Sequence, residues 1–383
     1  MKVLQIHNKY LHYGGEDAVV ENEYKLLQKN GVVINQLFFD NTKINPLKLF
    51  NNEKSYQATQ KAINDFKPDV VHVHNIFYTA TTSVLKAAND NNVPVVITLH
   101  NFRLVCANGL FLRNSKVCLK CKDLTYPIHG AINKCFQDSY LKSAMLSMLI
   151  GTNKKRNIWN KYLDKVIVLT PFVKDIFLDT KLGFVEKDII VKSNSTDDFF
   201  NQTDSKENIQ SGYLFIGRLS KEKGVDVIVE AFNKMPEFKL EIIGDGELGD
   251  HLKTKANKNI IFHGKQSRDF IKDKLTKTKA LVFPSIWYEG LPNTIIESFS
   301  SGTPILASNI SNINEIVSDN YNGKLFKTGS VSSIIDVVKE FDILREVDYE
   351  NYKNNARNTY LKKYTHEINF ENLMNIYSKL VEK

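Results

Sequence analysis

The chain has 383 residues, 42% hydrophobic and 25% charged, with a net charge of +8. That length exceeds what one ordinary core serves, so two domains are expected, in a globular protein of ordinary composition. No apolar run approaches the ~20 residues of a membrane span, and the opening MKVLQIHNKY lacks the apolar region of a signal peptide, which predicts a cytoplasmic protein and leaves open attachment at the inner face of the cell membrane.

The charge is unevenly spread. Residues 1–200 hold 26 Lys+Arg against 18 Asp+Glu, residues 201–383 hold 25 of each, and residues 100–170 alone hold 12 against 3. A basic stretch of this kind suits nucleic acid, anionic lipid or an anionic substrate, or is a solvated lysine-rich surface.

In chain order, KVLQIHN predicts a strand and EDAVVENEYKLLQKNG a helix ending at Gly31. VVINQLFF, DVVHVHN, VPVVITLHN and DKVIVLT predict further strands. Continuous apolar strands separated by helices argue a parallel sheet covered on both faces. Lys192 to Gly212 is polar and reads as a linker. The second half repeats the scheme with GYLFIGR, KLEIIGDG, NIIFHG, ALVFPS, PILAS and GKLF, and the chain closes on a long helical pattern. The fold class is therefore α/β, two doubly wound Rossmann-like domains facing a cleft. The expected divisions are an N-terminal domain over 1–195, with a cysteine-containing insertion over 101–140, a C-terminal domain over 196–365, and a helix over 366–383 crossing back to the first domain. In such sheets ligands sit outside the carboxyl ends of the strands, so the residues just after each strand are the ones to search.

Gly14 and Gly15 follow the first strand, where paired glycines either let the backbone approach a ligand or simply make a tight turn. His100 ends VPVVITLHN and is placed to hydrogen-bond a sugar hydroxyl or orient a phosphate. His72 and His74 alternate, so only one of them is expected on a given side of the strand. Cys106, Cys118, Cys121 and Cys135 are the only cysteines and follow the pattern C-x11-C-x2-C-x13-C. A structural zinc closing that insertion is one reading and free thiols the other. Tyr140 to Leu163 mixes apolar residues, a tryptophan and a basic cluster, which suits an interfacial helix at an anionic membrane or a core helix with a basic outer face.

In FIGRLSKEKG, Arg218 and Lys223 flank a turn before a helix, two cations at the mouth of a βα unit that suit a diphosphate. No Asp-x-Asp motif for a catalytic metal is present. IIGDGELGD contains a literal Gly-x-Gly-x-x-Gly, but no acid follows at the next strand end, so nicotinamide binding is not expected. WYEGLPNTIIESFSSG places Glu289 after a strand and Glu297 within the first two turns of a helix capped by Asn293 or Thr294. Carboxylates accept from hydroxyls, and the backbone N–H groups around Gly290, Leu291 and Asn293, beside Pro292, suit an anion. Hydroxyls with phosphate describe a sugar nucleotide.

YEGLPNTIIESFSSGTPILAS resembles the E-x7-E signature of family 4 glycosyltransferases, retaining enzymes of the GT-B fold. GRLSKEKG resembles their phosphate-binding segment, YGGED their N-terminal glycine loop and VITLHN the strand end carrying their active-site histidine. The resemblance implies catalytic roles for His100 and Glu289, contact of Gly14 and Gly15 with the donor diphosphate, phosphate binding by Arg218 and Lys223, backbone contacts from Gly290 to Asn293, and a ribose contact from Glu297. It implies no catalytic cofactor, a UDP- or GDP-linked hexose donor, and a glycan or lipid-linked acceptor of the kind met in bacterial polysaccharide assembly and capsule synthesis, with no nucleic acid partner. The linker KSNSTDD and the segment Ser311 to Asn314 depart from the family's pattern. A sugar-nucleotide epimerase on the same fold and a non-catalytic nucleotide-sugar binder are the alternatives.

Overall fold

The computed structural model describes residues 1–11, 14–42, 44–200, 211–310 and 312–382. The chain forms two compact units, the first of residues 1–111, 118–194 and 369–383, the second of residues 112–117 and 195–368.

The first unit is built on strands β1 (Lys2–Asn8), β2 (Val33–Phe39), β3 (Val70–Val73), β4 (Val95–Leu99), β7 (Lys165–Val168) and β8 (Ile189–Val191). They lie in the order β2-β1-β3-β4-β7-β8, and every pairing is parallel. A two-stranded antiparallel hairpin, β5 (Leu112–Arg113) and β6 (Lys116–Val117), interrupts the chain after β4 and belongs to the second unit. Strands β3 and β4 are buried along their whole length, as expected of a parallel sheet covered on both faces, and they carry His72 and Thr98 inside. Strand β8 is not among the predicted strands, because three edge residues carry too little pattern to mark one. The closing helix His366–Val381 returns to this unit, where Leu373, Ile376, Tyr377 and Leu380 pack with Val3, Leu27, Val70, Val96 and Ile167. Fully burying each such side chain is worth about 1.5–3 kcal/mol, enough to hold a terminal helix in place.

The second unit carries strands β9 (Tyr213–Ile216), β10 (Leu240–Ile243), β11 (Ile260–Gly264), β12 (Ala280–Phe283), β13 (Ile305–Ser308) and β14 (Gly323–Phe326), all parallel, in the order β11-β10-β9-β12-β13-β14. The strand order reverses beside β9, and in the first sheet beside β1. At such a reversal the loops leave in opposite directions and open a crevice at the strands' carboxyl ends.

Ion pairs hold the start of the polar linker. Asp198 meets Arg357 through two nitrogen–oxygen pairs at 2.6 and 2.5 Å, and Asp197 lies 2.9 Å from His366 Nε2 and 3.0 Å from Arg268. Residues 201–210 of that linker lie outside the described residues.

The Gly-x-Gly-x-x-Gly of the second unit has a packing explanation. A Cβ on Gly244, whose φ is +138°, would lie 1.9 Å from Gly217 O, and one on Gly246 would lie 2.6 Å from Leu219 O. Leu219 N–H donates to Asp245 O and Leu248 N–H to Leu219 O. The glycines let two strand-end loops of one sheet interlock, and no dinucleotide is needed to account for them.

Candidate active site

In the second unit the predicted site residues follow β9 and β12, the strands at the reversal, and Lys223 and Glu289 meet there. Glu289 follows β12 and is buried, with Oε1 accepting from Lys223 Nζ (2.6 Å), Trp287 Nε1 (2.8 Å) and Ser285 Oγ (2.9 Å). Asn312 Nδ2 donates to the Glu289 carbonyl at 2.6 Å. Lys223 closes a short 3-10 turn, Lys221–Lys223, after β9. Gly224 next to it takes φ +66°, and a Cβ there would lie 2.1 Å from Pro284 O, so the turn is pressed onto the end of β12. That pressure is what brings Lys223 to Glu289, 66 positions away. Each partner neutralises the other in a place where an isolated charge would be costly.

Arg218 is not part of this pair. Its side chain is mostly exposed, and its guanidinium lies 2.9 Å from Glu222. Glu297 has different neighbours again. Burial raises its carboxyl above the ordinary range, with the Arg268 charge opposing and Asp197 reinforcing. Its helix spans Asn293–Ser300, with Pro292 at the N-cap and no side-chain cap. The expected cap by Asn293 or Thr294 is therefore corrected: proline fixes the entry angle and Asn293 is already helical. Gly290 and Leu291 form the loop before Pro292. With no side chain capping it, the first turn presents its backbone donors at the positive end of the helix.

In the first unit Gly14 is the N-cap of the helix Gly15–Lys29, and its N–H donates to Asp17 Oδ2 at 2.9 Å. Asp17 Oδ1 lies 2.9 Å from His7 Nε2 at the end of β1, so the glycine turn is tied to the strand. Burial raises the Asp17 carboxyl, but hydrogen bonds from His7 and Gly14 outweigh it and the net shift is downward. Glu16 accepts from Tyr10 OH at 2.8 Å, while its Oε1 is buried with no hydrogen-bond partner among the described residues. Burial pushes Glu16 up to about 7 against the pull of His7, Tyr10 and Arg103.

His100 follows β4, and its Nε2 lies 3.2 Å from His74 Nδ1. Burial first, then His74, holds it well below its ordinary value, so it is a neutral imidazole. His72 and His74 do not part to opposite sides: their ring centroids are 4.3 Å apart and both rings reach Glu23. Strand β3 ends at Val73, so the alternation stops before His74. Glu23 is absent from the sequence-derived candidates, although its spacing from buried Val20, Leu26 and Leu27 puts it on the apolar stripe of its helix, a legible sign of a buried charge. Lys192, buried just after β8, is absent from them for the same reason as that strand.

The four cysteines are free thiols, Cys106 and Cys121 buried and the other two half-buried. Burial and the neighbouring Cys106, Cys135 and Cys118 push Cys121 up to about 11. They are not drawn to the ~3.8 Å sulfur spacing of a zinc tetrahedron: among the described residues, the group with three ligand atoms within 4.8 Å of one another is Glu23, His72 and His74. Tyr140 to Leu163 is two helices, Tyr140–Lys155 and Ile158–Tyr162, broken at Asn157. Trp159 and Lys154 are buried, Lys154 donating to Leu124 O at 2.8 Å, so neither belongs to an outer face. Among the described residues no helix is long and apolar enough to cross a membrane.

Residues 195–359 match the family model "Glycosyl transferases group 1". An uncharacterized glycosyltransferase of Methanocaldococcus jannaschii is 24% identical, covering 99% of both chains. The UDP-Gal:alpha-D-GlcNAc-diphosphoundecaprenol alpha-1,3-galactosyltransferase of Escherichia coli is 26% identical over 79% of this chain and 73% of its own. The structure of Anabaena Alr3699/HepE with UDP and glucose superposes with a TM-score of 0.68 at 17% identity, over 99% of this chain and 100% of that one. The fold is that of the two-sheet GT-B glycosyltransferases. The second unit matches the group 1 glycosyl transferase model over most of its length, and the protein is a glycosyltransferase.

The Glu16 environment has a measurable consequence. A carboxyl at about 7 in the folded chain and 4.5 as its ordinary value stabilises the fold below 4.5, and that contribution is lost as pH rises through 7. Thermal melts from pH 5 to 7.5 should show the wild type losing stability relative to Glu16→Gln. Parallel curves would mean Glu16 ionises as an ordinary carboxylate.

Proposed function

We propose that the protein transfers a hexose from a UDP-sugar to a hydroxyl of a lipid-linked or polysaccharide acceptor in cell-surface glycan synthesis, keeping the anomeric configuration. The observation that carries this reading is the Lys223–Glu289 pair at the strand reversal of the second unit. An ammonium has three N–H donors, so Lys223 can hold Glu289 and still donate to a phosphate oxygen. Arg218, on the turn that follows β9, adds a second cation. Together with the uncapped helix start at Asn293, they would stabilise the charge that develops on a departing diphosphate. Glu289 would accept from sugar hydroxyls and Glu297 from the ribose. In the first unit, His100 and the turn at Gly14 and Gly15 would meet the transferred sugar and its phosphates. The transition state is oxocarbenium-like, as in glycoside chemistry generally, with same-face attack assisted by the leaving phosphate and no catalytic metal. The UDP donor is supported by the galactosyltransferase relative and the UDP-bound Anabaena structure, each named for UDP or a UDP-sugar.

A panel of UDP- and GDP-sugars in a thermal-shift assay tests the donor site. A ligand at a hundredfold excess over its Kd stabilises by about 2.7 kcal/mol. One UDP-sugar should shift the wild type strongly and Glu289→Gln much less. Equal shifts in both proteins would remove Glu289 from the site, and a response to GDP-sugars alone would overturn the UDP reading.

The acceptor side is proposed to rest on an anionic lipid surface. Leu141, Ala144 and Met148 form an exposed stripe on the helix Tyr140–Lys155, and the exposed Lys155 and Arg156 follow it. Leu141→Glu with Met148→Glu should abolish sedimentation with phosphatidylglycerol vesicles. Unchanged sedimentation would refute the surface.

The cysteine cluster is proposed to take up a structural zinc when the thiols close around it. Metal analysis of purified protein should find one zinc per chain, lost on Cys121→Ser; metal-free protein with an unchanged melting temperature on added zinc would end the proposal.

A further inference from the structure

Behind His100 lies a chain of buried polar groups that the proposed reaction leaves unused. Glu23, on the helix after β1, is at its centre. Lys192 Nζ stands 3.2 Å from its Oε2 and 3.2 Å from Asn369 Oδ1. His72 Nδ1 lies 3.0 Å and His74 Nε2 3.2 Å from its Oε1. His74 Nδ1 then meets His100 Nε2 at 3.2 Å, the two rings stacked at 19° between planes. Burial alone would raise the Glu23 carboxyl, but His72, Lys192 and His74 draw it well below the ordinary range. His74 is pushed down to about 3 by burial and by His72. The carboxylate is therefore charged and the His74 ring neutral.

A neutral imidazole has one N–H and one lone pair. Placing the lone pair at His74 Nε2 would set it 3.2 Å from an anionic oxygen. The N–H therefore belongs there, and His74 Nδ1 is the acceptor. Its partner across 3.2 Å, His100 Nε2, must then donate. One further group bears on this assignment. Gln5 Nε2 lies 3.2 Å from His74 Nε2, and also 3.3 Å from Val20 O and 3.5 Å from Glu23 Oε1. Its two hydrogens can serve those two oxygens, while Gln5 Oε1 accepts from Gln36 Nε2 at 2.7 Å. The site is not a metal centre of the usual kind, because Lys192 already neutralises Glu23, and Thr98 and Tyr377 hold His72 at 2.8 and 2.7 Å.

We propose that Glu23, acting through His74, fixes His100 as the Nε2–H tautomer, so that His100 presents the bare Nδ1 lone pair to its ligand. Glu23 and His74 are positioning residues. The consequence rests on the reading of His100 as a contact of the donor sugar. At that point the enzyme accepts a hydrogen bond, so the sugar must offer an O–H or N–H there and a carboxylate is refused. His100 does not act as a general acid toward the leaving phosphate, because its one ring proton is committed to His74.

Long-range proton–nitrogen correlation spectra of protein labelled in its histidine rings read the tautomer directly. Ligand-free wild type should show His100 with a protonated Nε2 and an unprotonated Nδ1, the signals being assigned by their loss in His100→Gln. In Glu23→Gln the amide can donate to His74 Nε2, and the His100 tautomer should invert to Nδ1–H. A wild-type His100 protonated at Nδ1 overturns the relay, and it does so without any variant having to fold. The same tautomer in Glu23→Gln as in folded wild type overturns the role of Glu23. Addition of the UDP-sugar should then shift the Nδ1 signal. With the Nε2–H tautomer found but Nδ1 unmoved by bound donor, the tautomer assignment stands and the reading of His100 as a donor contact fails.

Discussion

A parallel sheet sends the carboxyl end of every strand to the same edge, and the candidate site residues of this protein depend on that constraint. Both sheets have six parallel strands whose order reverses beside the first strand of the sheet. Loops leaving β9 and β12 diverge at such a reversal, and the residues they carry need no long excursion to meet. Lys223 and Glu289 are brought to 2.6 Å by two short turns and one glycine pressed against Pro284. In the first unit, the turn at Gly14, His74 and His100 follow β1, β3 and β4 by the same rule.

The two units manage buried charge differently. In the second, one lysine meets one carboxylate, and the hydroxyl of Ser285 and the indole of Trp287 donate to the same carboxylate oxygen. In the first, Glu23 is met by Lys192 and two imidazoles, and the chain of contacts runs on to His100. Buried pairs of this kind contribute little net stability, since desolvation offsets the attraction. Breaking one strands the other charge, which makes these positions far less tolerant of substitution than their net contribution suggests. Their value lies in orientation, and the closing helix shares in it: Tyr377 holds His72 at 2.7 Å from the opposite end of the sequence.

Most of the strands and the motif residues are legible in the order of the amino acids alone. Eleven of the twelve sheet strands are predicted from the sequence, and the βα rhythm implies two parallel sheets, each with polar residues at its strand ends. Arg218, Lys223, Glu289 and His100 follow their strands in the sequence itself. The partners of those residues are not legible there. Trp287 and Ser285 share the Glu289 carboxylate and Asn312 holds its backbone carbonyl, and nothing in their spacing predicts those partners. The pairing of His72 with His74 runs against expectation because periodicity assumes a strand that has in fact ended at Val73.

The sequence by itself determined the class of fold, the strand ends to search, and the residue types able to bind a diphosphate and sugar hydroxyls. Local patterning suffices for these, because burial on both faces and turn chemistry are written in neighbouring residues. The tertiary structure alone decided that Lys223 rather than Arg218 grips Glu289, that Trp159 is core rather than surface, and that Glu23 stands behind His100. Each depends on side chains meeting across tens or hundreds of positions, in an interior where a charge must find its counterpart. No local pattern encodes which counterpart that will be.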